Sequence, residues 1–321
     1  MKRRRFLQST GAAAMGVGIV ACNSRKAVST TPPGPKPVVS ILRARSYSDE
    51  LLDVLRRGAE QCGLDARGKR VLLKPNLVEF DSATTINTNV ALIAAAFELF
   101  RGLGAAEVRI GEGPGHRRDS LYLAEVAGYR KGVERFDTRF VDLNRDDVAP
   151  AGPFGSLENI YLPATVLGAD LVVSLAKMKT HHWVGATLSM KNFFGVVPGS
   201  LYGWPKNQLH QIGIPRSIAE LHRIFGRKSF GIVDGVVGMQ GNGPIRGTPL
   251  NAGVIVMGAD LAAVDATCCR IMGIDPQKVD YLQLAASAGS LNADSIEQRG
   301  ERLDAVRCNF DLIPQFQNLR I

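Results

Sequence analysis

Cysteine is scarce in this sequence. The chain has 321 residues and five cysteines, which are Cys22, Cys62, Cys268, Cys269 and Cys308. No two of them form a Cys-x-x-Cys pair, the spacing typical of iron–sulfur and structural zinc sites, so the sequence offers no iron–sulfur motif. Cys268 and Cys269 fall within the apolar helical pattern of residues 261–272, so we expect buried structural thiols there. The spacing selects no disulfide pair.

Several common catalytic fingerprints are also missing. The glycine-rich stretch 111–115 is not a G-x-G-x-x-G dinucleotide motif, and it is not a Walker loop, because no G-K-[S/T] follows it. No G-x-S-x-G elbow occurs anywhere in the chain, which argues against a serine hydrolase of the α/β type.

Acidic residues are absent from the stretch that is richest in chemistry. No Asp or Glu occurs from residue 171 to residue 219, while Lys177, Lys179 and Lys191 lie within it. Lysines are compact point charges that bind phosphate or carboxylate groups. Three lysines without a nearby acid therefore predict a site for a small anionic ligand.

The net charge of the whole chain is +9 at pH 7, which at first suggests a nucleic-acid partner. Lys2, Arg3, Arg4 and Arg5 account for four of these charges, and no acid accompanies them, which leaves +5 for the rest. No extended run of Lys and Arg remains to follow a phosphate backbone. Nucleic acid is therefore not an expected partner.

The N-terminus has the pattern of a targeting segment. Residues 3–7 read RRRFL, which fits the twin-arginine pattern R-R-x-F-L, and residues 11–21 form an apolar stretch too short to span a bilayer. We interpret residues 1–21 as a twin-arginine signal peptide, with the twin-arginine translocase as a partner. Because that route exports folded proteins, it favours a metal or organic cofactor without identifying one.

Residues 19–22 read IVAC and resemble a lipobox, so we predict lipidation of Cys22. Residues 22–37, rich in proline, are then a tether to the membrane. The expected location is the periplasmic or cell-surface side, anchored by lipid; cleavage without a lipid is the alternative.

Residues 38–321 alternate predicted strands with predicted helices. The strands are 38–42, 71–73, 108–110, 140–143, 171–175, 230–233 and 253–257, and the helices are 48–61, 89–103, 119–127, 214–225, 261–272 and 279–288. This alternation predicts an α/β fold with a mainly parallel sheet and helices on both faces, in one domain or in two closely packed subdomains. We expect surface loops at 144–155 and 198–211, the latter a lid or binding segment that includes Lys206 and His210.

The strand 171–175 is followed by an unusual concentration of functional side chains at residues 177–183 and 189–195. They include the three lysines, His181, His182, Trp183 and Asn192. In an open α/β sheet, ligands bind beyond the carboxyl ends of the strands. The position of this cluster therefore indicates a binding site.

The run KMKTHHWVGATLSMKNFFGVVPG at 177–199 resembles the signature of the DUF362 family, which is named for its lack of an assigned function. Matching pieces are LKPN at 73–76, EGPG at 112–115, DG at 234–235 and MQGNGP at 239–244, with Asp260 and Asp265. The resemblance covers about residues 38–289. It implies a defined domain and no settled reaction. Some members carry ferredoxin-type cysteine repeats, which this chain lacks.

Polar groups at several predicted strand ends are expected to meet at one edge of the sheet. The histidines are candidate general bases, with one of two carboxylates as the group that orients them. The candidate catalytic residues are His181, His182, Glu112 and Asp234. The candidate anion-binding residues are Lys74, Asn76, Lys177, Lys179, Lys191, Asn192 and Arg246.

These residues support three hypotheses. The first is an enzyme that acts on a small carboxylate or phosphate, with a bound metal or cofactor left open. The second is a non-catalytic, lipid-anchored protein that binds an anion with the same lysines. The third is an accessory or maturation factor for another exported redox protein.

Overall fold

The computed structural model describes residues 35–48, 50–115, 119–286 and 291–321. The predicted signal peptide, Cys22 and the tether up to residue 34 lie outside the described residues. The folded part, Pro35–Ile321, is one compact unit and not two subdomains. No helix in the described part of the chain is both long enough and apolar enough to cross a membrane.

The strands are β1 Val38–Arg43, β2 Arg70–Pro75, β3 Glu107–Glu112, β4 Phe140–Asp142, β5 Val148–Pro150, β6 Tyr161–Pro163, β7 Leu171–His181, β8 Gly185–Thr187, β9 Ser229–Asn242, β10 Arg246–Leu250, β11 Val254–Gly258 and β12 Glu297–Gly300. The helices are α1 Leu51–Gln61, α2 Val90–Gly102, α3 Ser120–Val126, α4 Tyr129–Gly132, α5 Phe136–Arg139, α6 Ala164–Gly168, α7 Ser189–Asn192, α8 Gly199–Tyr202, α9 Asn207–Ile212, α10 Ile214–Phe225, α11 Leu261–Ile271, α12 Asp280–Ala285 and α13 Leu303–Val306. The predicted strands and long helices are confirmed, with ends shifted by a few residues.

The main sheet has the order β12-β1-β11-β9-β7-β2-β3-β4, with β8 beside β7 and β10 beside β9. The strands β9, β7, β2, β3 and β4 run parallel to one another, whereas β11 is antiparallel to both of its neighbours. The predicted α/β fold with a mainly parallel sheet is therefore confirmed.

Each face of the sheet packs against its own hydrophobic core. Along β2 the side chain of Leu72 belongs to one core, and those of Val71 and Leu73 belong to the other, as the alternation of a strand requires. Helices α10, α11 and α12 cover the first face, and α1 and α2 cover the second. Burial of both faces explains why the central strands are apolar runs without polar alternation.

Strands β7 and β9 are much longer than predicted. The apolar run of β7 ends at Leu175, but the strand continues through the alternating polar residues Lys177, Lys179 and His181. Likewise β9 continues to Asn242, where it turns into β10 as a hairpin. The lysines and His181 therefore project from the strand itself and not from a loop beyond it.

Other connecting segments are also more ordered than predicted. The expected loop at 198–211 contains α8 and most of α9, and the expected surface loop at 144–155 contains β5. The C-terminal tail adds β12 and α13 to the fold. Cys268 and Cys269 are buried on α11 as free thiols, as predicted, while Cys62 and Cys308 are half-buried.

Candidate functional site

A cavity of about 340 Å³ lies where β2, β3 and β7 present their carboxyl-terminal ends. Its charged lining consists of four lysines and one carboxylate, namely Lys74, Lys179, Lys191, Lys206 and Glu112. Its other polar lining includes Asn76, Asn192, Thr187 and three histidines, His181, His182 and His210. The predicted convergence of polar strand ends is thus present for eight of the eleven predicted catalytic and anion-binding residues.

A buried ion pair forms the floor of this cavity. The Nζ atom of Lys74 lies 2.5 Å from Oε2 of Glu112, and each side chain is 1% exposed. Glu112 also accepts hydrogen bonds from the backbone N–H groups of Leu77 and Gly113, at 2.9 and 2.8 Å. These three donors pair Glu112 with Lys74 and with the backbone, and none of its hydrogen bonds in the described part of the chain goes to a histidine. Burial lowers the pKa of Lys74, although the Glu112 carboxylate opposes this shift.

Asn192 links this floor to the next strand. Its amide nitrogen donates to the carbonyl of Lys74 at 2.9 Å and to Ser174 Oγ at 3.1 Å. Its oxygen accepts from Lys74 Nζ and from the amide nitrogen of Asn76, at 3.2 and 3.1 Å. A carbonyl oxygen only accepts, so the carbonyl of Lys74 identifies the nitrogen of the Asn192 amide. The Asn192 oxygen then faces the amide nitrogen of Asn76, which identifies the nitrogen of that amide as well. As a result, the Asn76 side-chain oxygen is buried without a hydrogen-bond partner.

The short helix α7, which carries Lys191 and Asn192, is held in place from below by Asp265 on α11. Asp265 accepts from the backbone N–H groups of Ser189 and Met190, at 2.8 and 3.1 Å, and from the Ser189 hydroxyl. Burial raises the pKa of Asp265 to about 7. Asp265 therefore positions the site without lining it.

Among the four lysines that line the cavity, Lys191 has the fewest hydrogen-bond partners in the described part of the chain. Its side chain is half-buried in the cavity wall, with Nζ 4.0 Å from the centre of the Phe194 ring. Within the described residues, no carboxylate or carbonyl accepts a hydrogen bond from this ammonium group. Burial, together with the nearby charge of Lys74, lowers the pKa of Lys191 to about 8. An ammonium group left in this state favours an anion from solution.

Lys179 and Lys206 are each partly satisfied by backbone carbonyls. Lys179 donates to Ile86 at 2.9 Å and to Pro244 at 3.3 Å, and Lys206 donates to Gly113 at 2.7 Å and to Phe194 at 2.8 Å. An ammonium group has three donors, so each lysine retains one N–H. Burial lowers the pKa of Lys179 well below its usual value and that of Lys206 to about 7.

Lys206 is a site residue that sequence reasoning placed only in a loop. Its backbone φ of 68° lies in the left-handed region, which non-glycine residues rarely adopt. Its side chain is buried, at 2% exposure, and bridges the loop after β3 to the segment after α7. Thr187, whose buried hydroxyl has no partner, is another lining residue that carried no signal in the sequence.

The two adjacent histidines differ in which ring nitrogen donates and which accepts a hydrogen bond. His182 Nδ1 lies 2.7 Å from the carbonyl oxygen of Gly243, so Nδ1 carries a proton and donates to that oxygen, and Nε2 is the nitrogen left to accept a proton. His181 Nδ1 accepts the backbone N–H of Trp183 at 3.1 Å, so its proton is on Nε2. Burial, followed by the positive charge of Lys191, lowers the pKa of His181, which keeps the ring neutral. His182 is therefore the candidate base, and His181 is a hydrogen-bond donor.

Aromatic rings connect Lys191 to the surface. From Phe194 to His210 the ring centres are 6.2 Å apart, from His210 to Trp183 5.5 Å, and from Trp183 to His182 4.6 Å. We call these four side chains the ring wall. Trp183 is 58% exposed, whereas Phe194 is buried.

Lys177 and Asp234 do not line the cavity. They form a fully buried ion pair of 2.8 Å, and Lys177 also donates to the Tyr47 hydroxyl and to the carbonyl of Val237, each at 2.9 Å. Asp234 accepts from Tyr47 at 2.8 Å and from the backbone N–H of Asn89 at 3.1 Å. All three protons of Lys177 are used within the protein. The prediction that these two residues act at the site is therefore not supported, because each satisfies the other.

Arg246 also lies away from the cavity. It is exposed on β10, which pairs with β9 in the hairpin. From this segment, Pro244 and Ile245 reach the cavity, and they are apolar.

The described side chains contain no cluster of the usual metal-binding residues. Within residues 35–48, 50–115, 119–286 and 291–321, no group of three or more His, Cys, Asp or Glu residues is placed to hold a metal ion. The carboxylates predicted to accompany the histidines are engaged by Lys74 and Lys177.

Comparison with known proteins gives a relative and a solved structure. The chain is 29% identical over 269 residues to the thylakoid-associated protein sll1697 of Synechocystis sp., and the match covers 81% of each chain. The apoprotein of lactate racemase from Thermoanaerobacterium thermosaccharolyticum is 15% identical, with a TM-score of 0.48 over 74% of this chain. The match spans 57% of the racemase's length.

The family model for the domain of unknown function DUF362 matches residues 71–270, which is more than half of the chain. This range includes β2, β3, β7 and α7, and thus most of the residues that line the cavity. The chain belongs to the DUF362 family.

Proposed function

We propose that the cavity binds a small anionic ligand, a carboxylate or a phosphate, and that the protein is an enzyme acting on it. The observation that carries the proposal is the charge of the lining, where four lysines face one carboxylate. Lys74 neutralises that carboxylate directly. Among the described residues, none of Lys179, Lys191 and Lys206 forms an ion pair with a carboxylate.

The three remaining lysines are arranged to share one anion. Lys179 and Lys206 each keep one N–H after donating to two carbonyls, and no described residue accepts a hydrogen bond from Lys191. An anion at this place replaces the water that burial removes and supports the charged form of each lysine. Charge-assisted hydrogen bonds of this kind are about twice as strong as neutral ones.

The proposed catalytic group is His182. Its Nδ1–H is held by the carbonyl of Gly243, which leaves the Nε2 lone pair to accept a proton from the ligand. His181, with its proton on Nε2, is suited to donate a hydrogen bond to an oxygen of the ligand. The pair therefore supplies a base and a donor next to a positively charged pocket.

A non-catalytic binding protein is the second candidate. It is favoured by one observation, that neither predicted carboxylate contacts a histidine, since Glu112 and Asp234 are held by lysines. In that case the same lysines bind the anion, and His182 serves only as a hydrogen-bond acceptor.

Export and anchoring remain part of the proposal. We infer that residues 1–21 direct twin-arginine export and that a lipid on Cys22 holds the protein at the membrane. The name of the Synechocystis relative, a thylakoid-associated protein, is in keeping with a membrane location. The test is a Cys22→Ala variant, which should move from the membrane fraction to the soluble fraction. Membrane retention of that variant would contradict lipid anchoring.

Calorimetric titration with phosphate, acetate and sulfate tests the anion site. We expect the wild-type chain to bind at least one of these anions and Lys191→Met to lose that binding. Lys131→Met removes the same charge from an exposed position on α4 and should bind as the wild type does. Equal binding by all three proteins would mean that the anion does not use the cavity.

A further inference from the structure

We propose that the ligand carries a planar apolar group beside its anionic group, and that Trp183 is the platform on which this group stacks. The inference rests on the proposed anion site and adds the chemical class of the ligand. Its basis is the ring wall that runs from Lys191 to the surface.

The ring wall is continuous from Lys191 to Trp183. Lys191 Nζ lies 4.0 Å from the centre of the Phe194 ring, the Phe194 and His210 rings form a T-shaped pair, and the His210 and Trp183 rings form another. The ammonium group and the exposed indole are therefore ends of one lined surface. A ligand that pairs with Lys191 extends along rings when it extends toward solvent.

The outer end of the ring wall is an exposed indole. Trp183 is 58% exposed even though it directly follows the buried strand β7 and the histidine pair. Its backbone N–H is held by His181, and its ring packs edge-on against both His182 and His210. Because Trp183 is 58% exposed despite these two contacts, its indole keeps accessible ring surface for stacking, and aromatic pairs stack favourably in an offset arrangement.

The volume of the cavity and its apolar lining also fit a ligand larger than a simple anion. The cavity of about 340 Å³ is within the range of small-molecule sites, roughly 300–1,000 Å³, and larger than a phosphate or acetate ion requires. Apolar residues complete its wall, namely Pro205, Ile214, Pro244 and Ile245. A charged lysine end and an apolar aromatic end fit an aromatic carboxylate or an aromatic phosphate ester.

The test compares two pairs of anions that share a head group. The titrants are phosphate with phenyl phosphate, and acetate with benzoate, added to the full chain in a calorimeter. We expect the aromatic member of at least one pair to bind about tenfold more tightly than its simple partner. In Trp183→Leu this advantage should fall to about twofold. Tyr122→Leu, which removes a similarly exposed aromatic ring away from the cavity, should keep it.

The outcomes separate this inference from the anion site. If the simple anion binds and the aromatic one binds no better, the inference fails while the anion site stands. If the aromatic advantage persists in Trp183→Leu, Trp183 is not the platform and the inference fails. If neither member of either pair binds, the anion site fails and this inference fails with it.

Discussion

The Nδ1 atom of His182 lies 2.7 Å from the carbonyl oxygen of Gly243, at the start of the turn that joins β9 to β10. A carbonyl oxygen only accepts, so this contact determines the tautomer of the ring. It makes Nε2 the basic nitrogen of His182. The opposite assignment holds for His181, because a backbone N–H points at its Nδ1.

The tautomers provide the first prediction. At pH 8, long-range nitrogen–proton NMR spectra should show His182 with its proton on Nδ1 and His181 with its proton on Nε2. His182→Asn identifies which set of signals belongs to which ring. The same tautomer in both rings, or a reversal of the two, would remove the argument for His182 as the base.

The second prediction concerns the pH dependence of anion binding. Burial lowers the pKa of Lys206 to about 7 and that of Lys191 to about 8, so in the free protein both are charged at pH 6 and both are largely neutral at pH 9. An anion binds the charged form. Affinity for sulfate, whose own charge is constant, should therefore be greatest near pH 6 and fall with increasing pH.

The fall should approach about tenfold per pH unit for each lysine that has to take up a proton. Calorimetry in two buffers of different ionisation enthalpy should detect this proton uptake at pH 8. Lys191→Met removes one of the two protons from the count. Affinity that stays constant from pH 6 to pH 9 would show that neither lysine contacts the anion.

The third prediction distinguishes two lysines by their effect on stability. Lys191→Met removes a half-buried charge that has no acceptor among the described residues, so the free energy of unfolding should change by less than about 0.5 kcal/mol or increase. Lys179→Met leaves the carbonyls of Ile86 and Pro244 without their donor, which should cost about 1–3 kcal/mol. Urea unfolding of both variants tests this contrast, which fails if the two variants lose the same stability.

The fourth prediction concerns the floor of the cavity. Glu112→Gln removes the charge that is paired with buried Lys74, and the loss of one partner of a buried pair costs about 3–5 kcal/mol. The matched control is Glu98→Gln, which breaks an exposed pair with Arg101 and should cost less than about 1 kcal/mol. Equal midpoints of thermal unfolding for the two variants would contradict a structural role for Glu112.

The fold was largely accessible from the sequence, because the parallel strands are apolar runs and α2 and α11 begin at capping residues. Asn89 and Asp260 each accept the backbone N–H that the capping pattern predicts. The ends of β7 and β9 were not accessible from apolar runs alone. Lys177, Lys179 and His181 recur at every second position, and that two-residue period was the signal for a continuing strand.

The site was accessible only in part, because sequence spacing does not report which charges neutralise each other. Lys177 and Lys179 have similar positions in the sequence, but the pairing of β7 with β9 is irregular between them. Lys177 meets Asp234, and Lys179 reaches the cavity. Lys206 comes from a distant helical segment, and no local pattern connects it to the cavity.

The most direct test of the anion site is a crystal structure of the protein soaked in selenate, whose anomalous scattering marks the position of the anion. We predict selenate in the cavity, within hydrogen-bond distance of Lys191 Nζ and adjacent to Lys179 or Lys206. Anomalous density confined to other surfaces, with Lys191 bonded to water alone at the same selenate concentration, would contradict it.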